Sequence, residues 1–464
     1  MTALWWVRDD LRLHDNPALA AAAEDGDVIA VHVDERIEGV REPGGATLWW
    51  LHHSLTRLGA ALRAQGVPLV LVSGDPEELI PQLVRDSGAD SVLWNRRYHA
   101  PRRAVDARLK SALREQGLRA ESFDGYLLHE PWTITTQSGD PYKVYSAFAR
   151  ACGEAGPPRA ADGLPPRLVG PPDGVRAGGY EMRTWLREEH LERVLDRRGW
   201  IPTSPDWAGG LREAWSPGEQ GARQRLEDLD GVLVAYAEDR ERPATEGTTR
   251  LSPHLRFGEV SPHEVWHRSV ECGRGTGPES FRRELLWREF AWHRLFHLPD
   301  LATRNVRRQF DRFDWREDSK ELRAWQRGRT GIDLVDAGMR QLWETGWMHN
   351  RVRLVTGSFL TKNLRQHWRR GEEWFWDTLV DADEASNPFN WQWAAGSGDD
   401  AAPYFRVFNP ARQQERFDPD GDYVRRWVPE IGTERRDDPI VDLRDSRRDA
   451  LAAYEEVRGS PDGV

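Results

Sequence analysis

The chain has 464 residues and is acidic, with 65 Lys and Arg against 76 Asp and Glu and a net charge of -11; its length supports two or three domains. Its two cysteines, Cys152 and Cys272, cannot supply the four thiolates of an iron–sulfur cluster and argue against disulfides or a cysteine-built zinc site. No apolar run approaches the roughly 20 residues that span a bilayer, and the opening MTALWWVRDDLRLHDN lacks the apolar core of a signal peptide, so the sequence reads as soluble, cytoplasmic and without a membrane partner.

In chain order, Leu4-Trp5-Trp6-Val7 reads as a short buried strand, and Asn16-Pro17 opens an Ala-rich helix over 18–23. Val28–Val33 is a second apolar run, and 47–64 has helical spacing. Val67–Val72 is a third strand, Asp75-Pro76 opens another helix, Ser91–Trp94 is a fourth strand, and 101–116 is helical. This alternation predicts a parallel sheet with helices on both faces, an α/β Rossmann-like domain over 1–130. No G-x-G-x-x-G follows the first strand, so the ordinary dinucleotide fingerprint is missing. Residues 153–179 are rich in Pro and Gly, and 131–200 reads as a long interdomain connector over the surface. From about 211 the pattern is helical, with Pro253, Pro262, Pro299, Pro388, Pro403 and Pro410 as punctuation, which predicts a larger all-α domain over 201–464.

Charge and tryptophan are unevenly placed. The stretch 339–371 carries Arg340, Arg351, Arg353, Lys362, Arg365, Arg369 and Arg370 against Glu344 alone, a basic face that suits phosphate despite the net negative charge. Tryptophan numbers 23. Large aromatics fill cores, yet segments such as HWRRGEEWFWD and NWQWAAG are polar around their indoles, and core filling explains those poorly. The histidines, His14, His254 and His349 among them, lack metal-ligand spacing and read as structural.

Four segments carry chemistry. Glu246-Gly-Thr-Thr-Arg-Leu-Ser252-Pro253 sets hydroxyls, an Arg and a helix start side by side, which suits a pyrophosphate; Ser252 alone would be an ordinary N-cap. Glu284, Trp287 and Arg288 fall on one helical face. Asn350, Arg351 and Arg353 give an amide and two guanidiniums within four residues. Asp381, Asp383, Asn387, Trp391 and Trp393 complete the set.

RDDLRLHDN, EGTTRLSPHLRFGEVSP, ELLWREFAWH, TGWMHNRVR, DADEASNPFNWQW and DAAPYFRVFNP resemble, in order and spacing, the motifs of the photolyase/cryptochrome family. The resemblance covers essentially the whole chain and is weakest in the connector. It implies an N-terminal antenna domain and a C-terminal helical domain that holds FAD in a U shape. It implies light-driven repair of cyclobutane pyrimidine dimers in UV-damaged DNA by a monomeric carbon–carbon lyase, through electron transfer from excited FADH⁻ to a flipped-out lesion.

Carried over residue by residue, the resemblance places Tyr236, Thr248, Thr249, Arg250, Leu251 and Ser252 at the FAD phosphates and ribose. Asp381 and Asp383 fall at the ribityl and isoalloxazine portions, with Arg288 and Arg353 also in contact with the cofactor. Asn387 faces flavin N5. Glu284, Trp287 and Arg288 flank the lesion cavity, with Trp393 as its second aromatic wall. Asn350, Arg351 and Arg353 lie between flavin and substrate, and Arg351 and Arg406 contact DNA. Glu284 is read as a neutral acid that hydrogen-bonds the dimer. Trp391, Trp368 and Trp315 match an electron-hopping triad from flavin to surface.

Within the family, (6-4) photolyases typically carry His, a proton donor, where this chain has Asn350. Cryptochrome photoreceptors usually lose the cavity aromatics, which this chain keeps in Trp287 and Trp393. A nucleotide-binding electron-transfer flavoprotein would need neither those indoles nor the basic face. Val7, Leu354 and Asn390 stand where relatives have Phe, Met and Gly. With GGATLWWLHHSL, these departures look more like the class III branch, or a class I relative near it. Arg102 replaces a folate-holding Glu, which leaves the antenna open among methenyltetrahydrofolate, a deazaflavin and none.

Overall fold

The computed structural model describes residues 1–171, 188–400 and 405–458. The connector residues 172–187, part of the DAAPYFRVFNP motif (401–404) and the C-terminal end at Val464 lie outside the described residues.

Five strands, β1 (Thr2–Val7), β2 (Asp27–Glu35), β3 (Leu69–Gly74), β4 (Ser91–Asn95) and β5 (Arg119–Phe123), form one wholly parallel sheet in the order β3-β2-β1-β4-β5. Trp5 pairs with Ala30 of β2 and Leu93 of β4. Helices cover both faces, so the strands read as continuous apolar runs; Trp5 and Trp6, which point to opposite faces, are both fully buried. β5, whose Arg119, Glu121 and Ser122 interrupt its apolar pattern, carries no such run and is legible only in the structure. Because the strand order reverses between β1 and β4, their C-terminal ends open a crevice, the usual ligand position of such sheets.

Helix starts follow a repeated local rule: a short polar residue caps and a proline occupies the first turn. Asn16 accepts from Leu19 N at 3.1 Å, Asp75 from Glu77 N at 2.8 Å, Ser261 from Glu264 N at 2.9 Å and Asn409 from Arg412 N at 3.2 Å. Ser252 breaks the rule. It is the first residue of a five-residue helix, Ser252–Arg256, and its hydroxyl donates to Asp381 Oδ2 at 2.7 Å instead of capping.

The interval read as a connector contains structure of its own. Helices Tyr145–Glu154 and Glu188–Arg197 lie within it, and Phe148 and Cys152 are buried in a core shared with Phe281, Phe290 and Trp292. Beyond residue 208 every regular element is helical among the described residues, and none is long and apolar enough to cross a membrane.

Two expectations are corrected. The indoles of HWRRGEEWFWD are largely core: Trp368 and Trp376 are buried with Gly371, Glu372 and Phe375 on one face of helix Trp368–Thr378, while Arg369, Arg370 and Glu373 occupy the other. The polar letters are simply the solvent side of an amphipathic helix. Nor does 339–371 make one basic face, because it runs through several helices that aim its cations apart. Arg340 pairs with Glu430, Arg353 with Asp381 and Arg365 with Asp314. Lys362 is buried, donates to the Arg406 carbonyl, and has its pKa pushed down to about 7 by burial.

Candidate active site

The helical part holds three connected cavities. An inner pocket of about 560 Å³ is lined by Asn350, Arg353, Asp381, Asn387 and Trp391, with Leu354, Gly357 and Phe375. An adjoining cleft of about 1070 Å³ is lined by Tyr236, Thr248, Thr249, Arg250, Leu251, Ser252, Glu284, Arg288 and Asp383. An outer cavity of about 1080 Å³ has Glu284, Trp287, Arg288, Arg351, Phe389 and Trp393 on its walls. Asn350 and Ser386 line all three, so a molecule in the inner pocket is separated from one in the outer cavity by single side chains.

Local structure explains the convergence. Glu284, Trp287 and Arg288 lie about one turn apart on one face of helix Thr276–His297. His349 accepts from Arg351 N at 3.3 Å and starts helix Asn350–Ser358, which places Asn350 at the helix mouth. Burial and the nearby Arg240, Arg351 and Arg353 push the His349 pKa down to about 3, so it serves as a neutral cap. Asp383 Oδ1 accepts from Ala385 N at 2.8 Å and Ser386 N at 2.5 Å, which starts helix Ser386–Ala395 and aims Asn387 and Trp391 inward. Burial raises the Asp383 pKa above the ordinary carboxylate range. Arg353 grips Asp381 through two bonds of 3.1 and 2.9 Å at the junction of the inner pocket and the cleft.

On the outer cavity, Glu284 Oε1 lies 2.8 Å from Arg240 Nη1. Burial raises the Glu284 pKa, with Arg240 opposing. Arg351 is paired with Glu241. Trp287 is stacked face to face on Tyr145 at 3.7 Å and 5°, and Trp393 Nε1 donates to the Asp400 carbonyl at 3.1 Å.

Three residues named from the sequence lie off the cavity walls. Trp368 is buried behind the inner pocket, donating to Asn305 Oδ1 at 2.8 Å. Trp315 is half-buried nearer the surface, 5.0 Å from the His367 ring, which is 5.6 Å from Trp368. Arg406 is exposed, its guanidinium 4.8 Å from the Phe408 ring.

Sequence reasoning missed Arg240, Tyr145 and Glu372. Arg240 follows helix Leu229–Asp239 with no motif around it, and Tyr145 sits in the interval read as connector. Glu372, one acid within the charged segment HWRRGEEWFWD, is buried behind Asn387, whose Nδ2 donates to its Oε1 at 2.8 Å and its carbonyl at 3.0 Å.

A further cleft of about 1130 Å³ lies at the C-terminal ends of β1 and β2, lined by Arg8, Asp9, His32, Glu35, Arg41, Arg97, Arg102 and Arg256. Glu35 is the anchor, taking both Arg97 (2.7 and 2.8 Å) and Arg102 (2.8 Å). Arg102 also lies 3.3 Å from Glu384 of the helical part.

The sequence model described as "DNA photolyase" matches residues 3–166, and that described as "FAD binding domain of DNA photolyase" matches 281–437. The chain is 47% identical to a deoxyribodipyrimidine photo-lyase of Agrobacterium fabrum, over 98% of this chain and 97% of that protein. It superposes on the crystal structure of a bacterial class III photolyase from Agrobacterium tumefaciens with a TM-score of 0.91 at 45% identity, covering 99% and 98% of the two chains. An archaeal photolyase from Sulfolobus tokodaii, solved with two FAD molecules, gives a TM-score of 0.80 at 26% identity, with 98% and 100% covered. With its parallel sheet and its connected cavities in the helical part, the chain belongs to the DNA photolyase family.

Proposed function

We propose that this protein repairs cyclobutane pyrimidine dimers in UV-damaged DNA with blue light, as a cytoplasmic monomer of the class III branch that binds FAD across the inner pocket and the adjoining cleft. The observation that carries the reading is the shared wall: Asn350 and Ser386 face both the inner pocket and the indole-lined outer cavity. The unpaired state of Cys152 and Cys272 suits a reducing compartment.

The chain's own atoms fit the cofactor. The Thr248 and Thr249 hydroxyls have no protein partner among the described residues. Beside them Arg250, held at φ 51°, keeps a buried Nε without a partner, and hydroxyls with a guanidinium suit a pyrophosphate. Bound there in its reduced form, FAD supplies the light-absorbing electron donor whose electron opens the cyclobutane ring and then returns. The protein orients and insulates. Trp287 and Trp393 receive the extruded bases, Arg351 and Arg406 meet phosphate, and the apolar side chains of Leu354, Phe375 and Trp391 keep water from the inner pocket. Asn350 cannot release a proton, which favours cyclobutane dimers over (6-4) lesions. Incubation of dimer-containing DNA with the holoprotein under blue light regenerates thymine absorbance; equal recovery in the dark and the light would defeat the proposal.

Glu284 is the acid placed to meet the lesion carbonyl. Its raised pKa keeps the acid form present to higher pH than an ordinary Glu, and that form is lost as pH rises through the shifted value. Repair yield is therefore expected to fall with rising pH, and Glu284→Gln to lower the yield and flatten this dependence. Matching pH profiles for both proteins would remove the proton from the account.

Tyr145 braces the Trp287 wall. The stacked pair contributes about 0.5–1.5 kcal/mol beyond area burial, so Tyr145→Ala should weaken binding of dimer-containing DNA by about two- to tenfold. Tyr145→Phe should retain it, since the stack needs only the ring. Equal affinity in the Ala variant would show that Trp287 stands unaided.

The cleft at the sheet end suits a second chromophore, a methenyltetrahydrofolate or a deazaflavin. Its buried Arg8, Arg97 and Arg102 Nε atoms and His32 Nδ1 have no protein partner, leaving donors for an anionic, polar ring system. The absorption spectrum of protein purified from its own host identifies the occupant.

A further inference from the structure

The inner pocket is wired to the α/β part by one arginine. Arg41 lies on the loop after β2 and lines the sheet-end cleft. Its guanidinium forks onto Glu372, Nη1 to Oε2 at 2.8 Å and Nη2 to Oε1 at 2.6 Å, and rests 3.9 Å from the Trp376 ring centroid. The Glu372 side chain is 1% exposed, and Arg41 is its one ion-pair partner among the described residues. The loop is fixed to helix Trp368–Thr378 by two further contacts just beyond the Arg41–Glu372 pair. Trp376 Nε1 donates to the Glu42 carbonyl at 2.8 Å, and Gly45 N to Asp377 Oδ1 at 2.8 Å. Between them Gly44 packs so closely that an added Cβ would lie 2.2 Å from the Trp376 carbonyl oxygen.

The same Glu372 Oε1 that meets Arg41 also receives Asn387 Nδ2 at 2.8 Å, and the Glu372 carbonyl receives that Nδ2 at 3.0 Å. Both amide hydrogens of Asn387 are thereby directed away from the inner pocket. A carboxylate only accepts, so while Glu372 is ionised its partner must be the NH₂ end of the amide. Asn387 is left with its carbonyl oxygen for whatever occupies the pocket.

We propose that Arg41 is a positioning residue: by holding the buried Glu372 carboxylate it fixes the Asn387 amide with its oxygen toward the flavin pocket, and so favours the reduced cofactor. This rests on the reading above that Asn387 faces flavin N5. Reduced flavin carries a hydrogen on N5, for which an amide oxygen is the matching acceptor, whereas oxidised N5 is itself an acceptor and matches an NH₂. Without the guanidinium, the buried Glu372 carboxylate loses the partner that fixes its position. A carboxylate no longer held leaves the Asn387 amide free to turn over, and the preference for the reduced cofactor is lost.

The test is the flavin midpoint potential of the holoprotein, measured by equilibrium titration against a redox dye. Arg41→Met keeps an apolar stem against Trp376 and removes the charge; Arg41→Lys keeps the charge without the fork. The account expects Arg41→Met to shift the reduction equilibrium at least tenfold toward oxidised flavin, about 30 mV for a two-electron couple, with Arg41→Lys close to wild type. Glu372→Gln, which leaves the loop untouched, should shift in the same direction and serves if Arg41→Met does not fold. An unmoved potential in Arg41→Met and Glu372→Gln, alongside a shift in Asn387→Ala, would overturn the inference and leave the pocket assignment standing. An unmoved potential in Asn387→Ala as well would overturn the placement of Asn387 at N5, and the inference with it.

Discussion

Removing both cavity indoles, Trp287→Ala with Trp393→Ala, should weaken binding of dimer-containing DNA by at least about thirtyfold, since base–aromatic stacking is worth about 1–3 kcal/mol per base on each side. The effect should be confined to damaged DNA, because binding of intact duplex rests on phosphate contacts that neither indole makes. The two rings face one cavity from different helices, Thr276–His297 and Ser386–Ala395, and each is held from outside it. Tyr145 backs the first, and the Asp400 carbonyl ties down the second. Competition binding with damaged and undamaged duplexes of one sequence reads the ratio directly. A loss shared equally by both duplexes would mean that the indoles support the fold rather than the lesion.

The second large effect concerns reloading of the electron donor. Trp391→Phe should reduce light-driven reduction of oxidised FAD to its background rate while protein reduced chemically beforehand repairs at nearly the wild-type rate. Trp391 is buried on the wall of the inner pocket, against Phe375 at 4.9 Å and Trp325 at 6.0 Å. Its ring lies directly on the backbone of helix Trp368–Thr378. A Cβ at Gly371 would stand 2.1 Å from its Cη2, so glycine at that turn is what lets the indole approach. Trp368 is on the same helix, and His367 and Trp315 continue the aromatic line to the half-buried end. Flash photolysis of the oxidised holoprotein gives the rate. Normal photoreduction in the variant would discard this route, and a matching loss of repair by pre-reduced protein would mean that the substitution had disturbed the pocket itself.

Much of the α/β part could be read locally because its information is local. Runs such as Val28–Val33 declare strands buried on both faces, and pairs such as Asn16-Pro17 and Asp75-Pro76 declare helix starts. β5 escaped because its polar residues hide the pattern. In the helical part, i to i+4 spacing put Glu284, Trp287 and Arg288 together correctly, and the structure adds that all three meet the outer cavity. What spacing could not give was the depth of an indole inside a charged segment, since Trp368 and Trp376 look exposed until the helical period is followed through 368–378. Nor could it give contacts between residues distant in sequence. Arg240 with Glu284, Tyr145 with Trp287, and Arg41 with Glu372 are separated by tens to hundreds of residues, and no local pattern announces them.

The most direct test of the central claim is the fluorescence lifetime of the reduced flavin in the holoprotein, with and without a bound dimer. If the inner pocket and the outer cavity bring donor and lesion together across Asn350 and Ser386, dimer-containing DNA at saturation shortens that lifetime while the same duplex without the lesion leaves it unchanged. A lifetime indifferent to the dimer, with binding demonstrated in the same sample, would contradict direct electron transfer between the two sites.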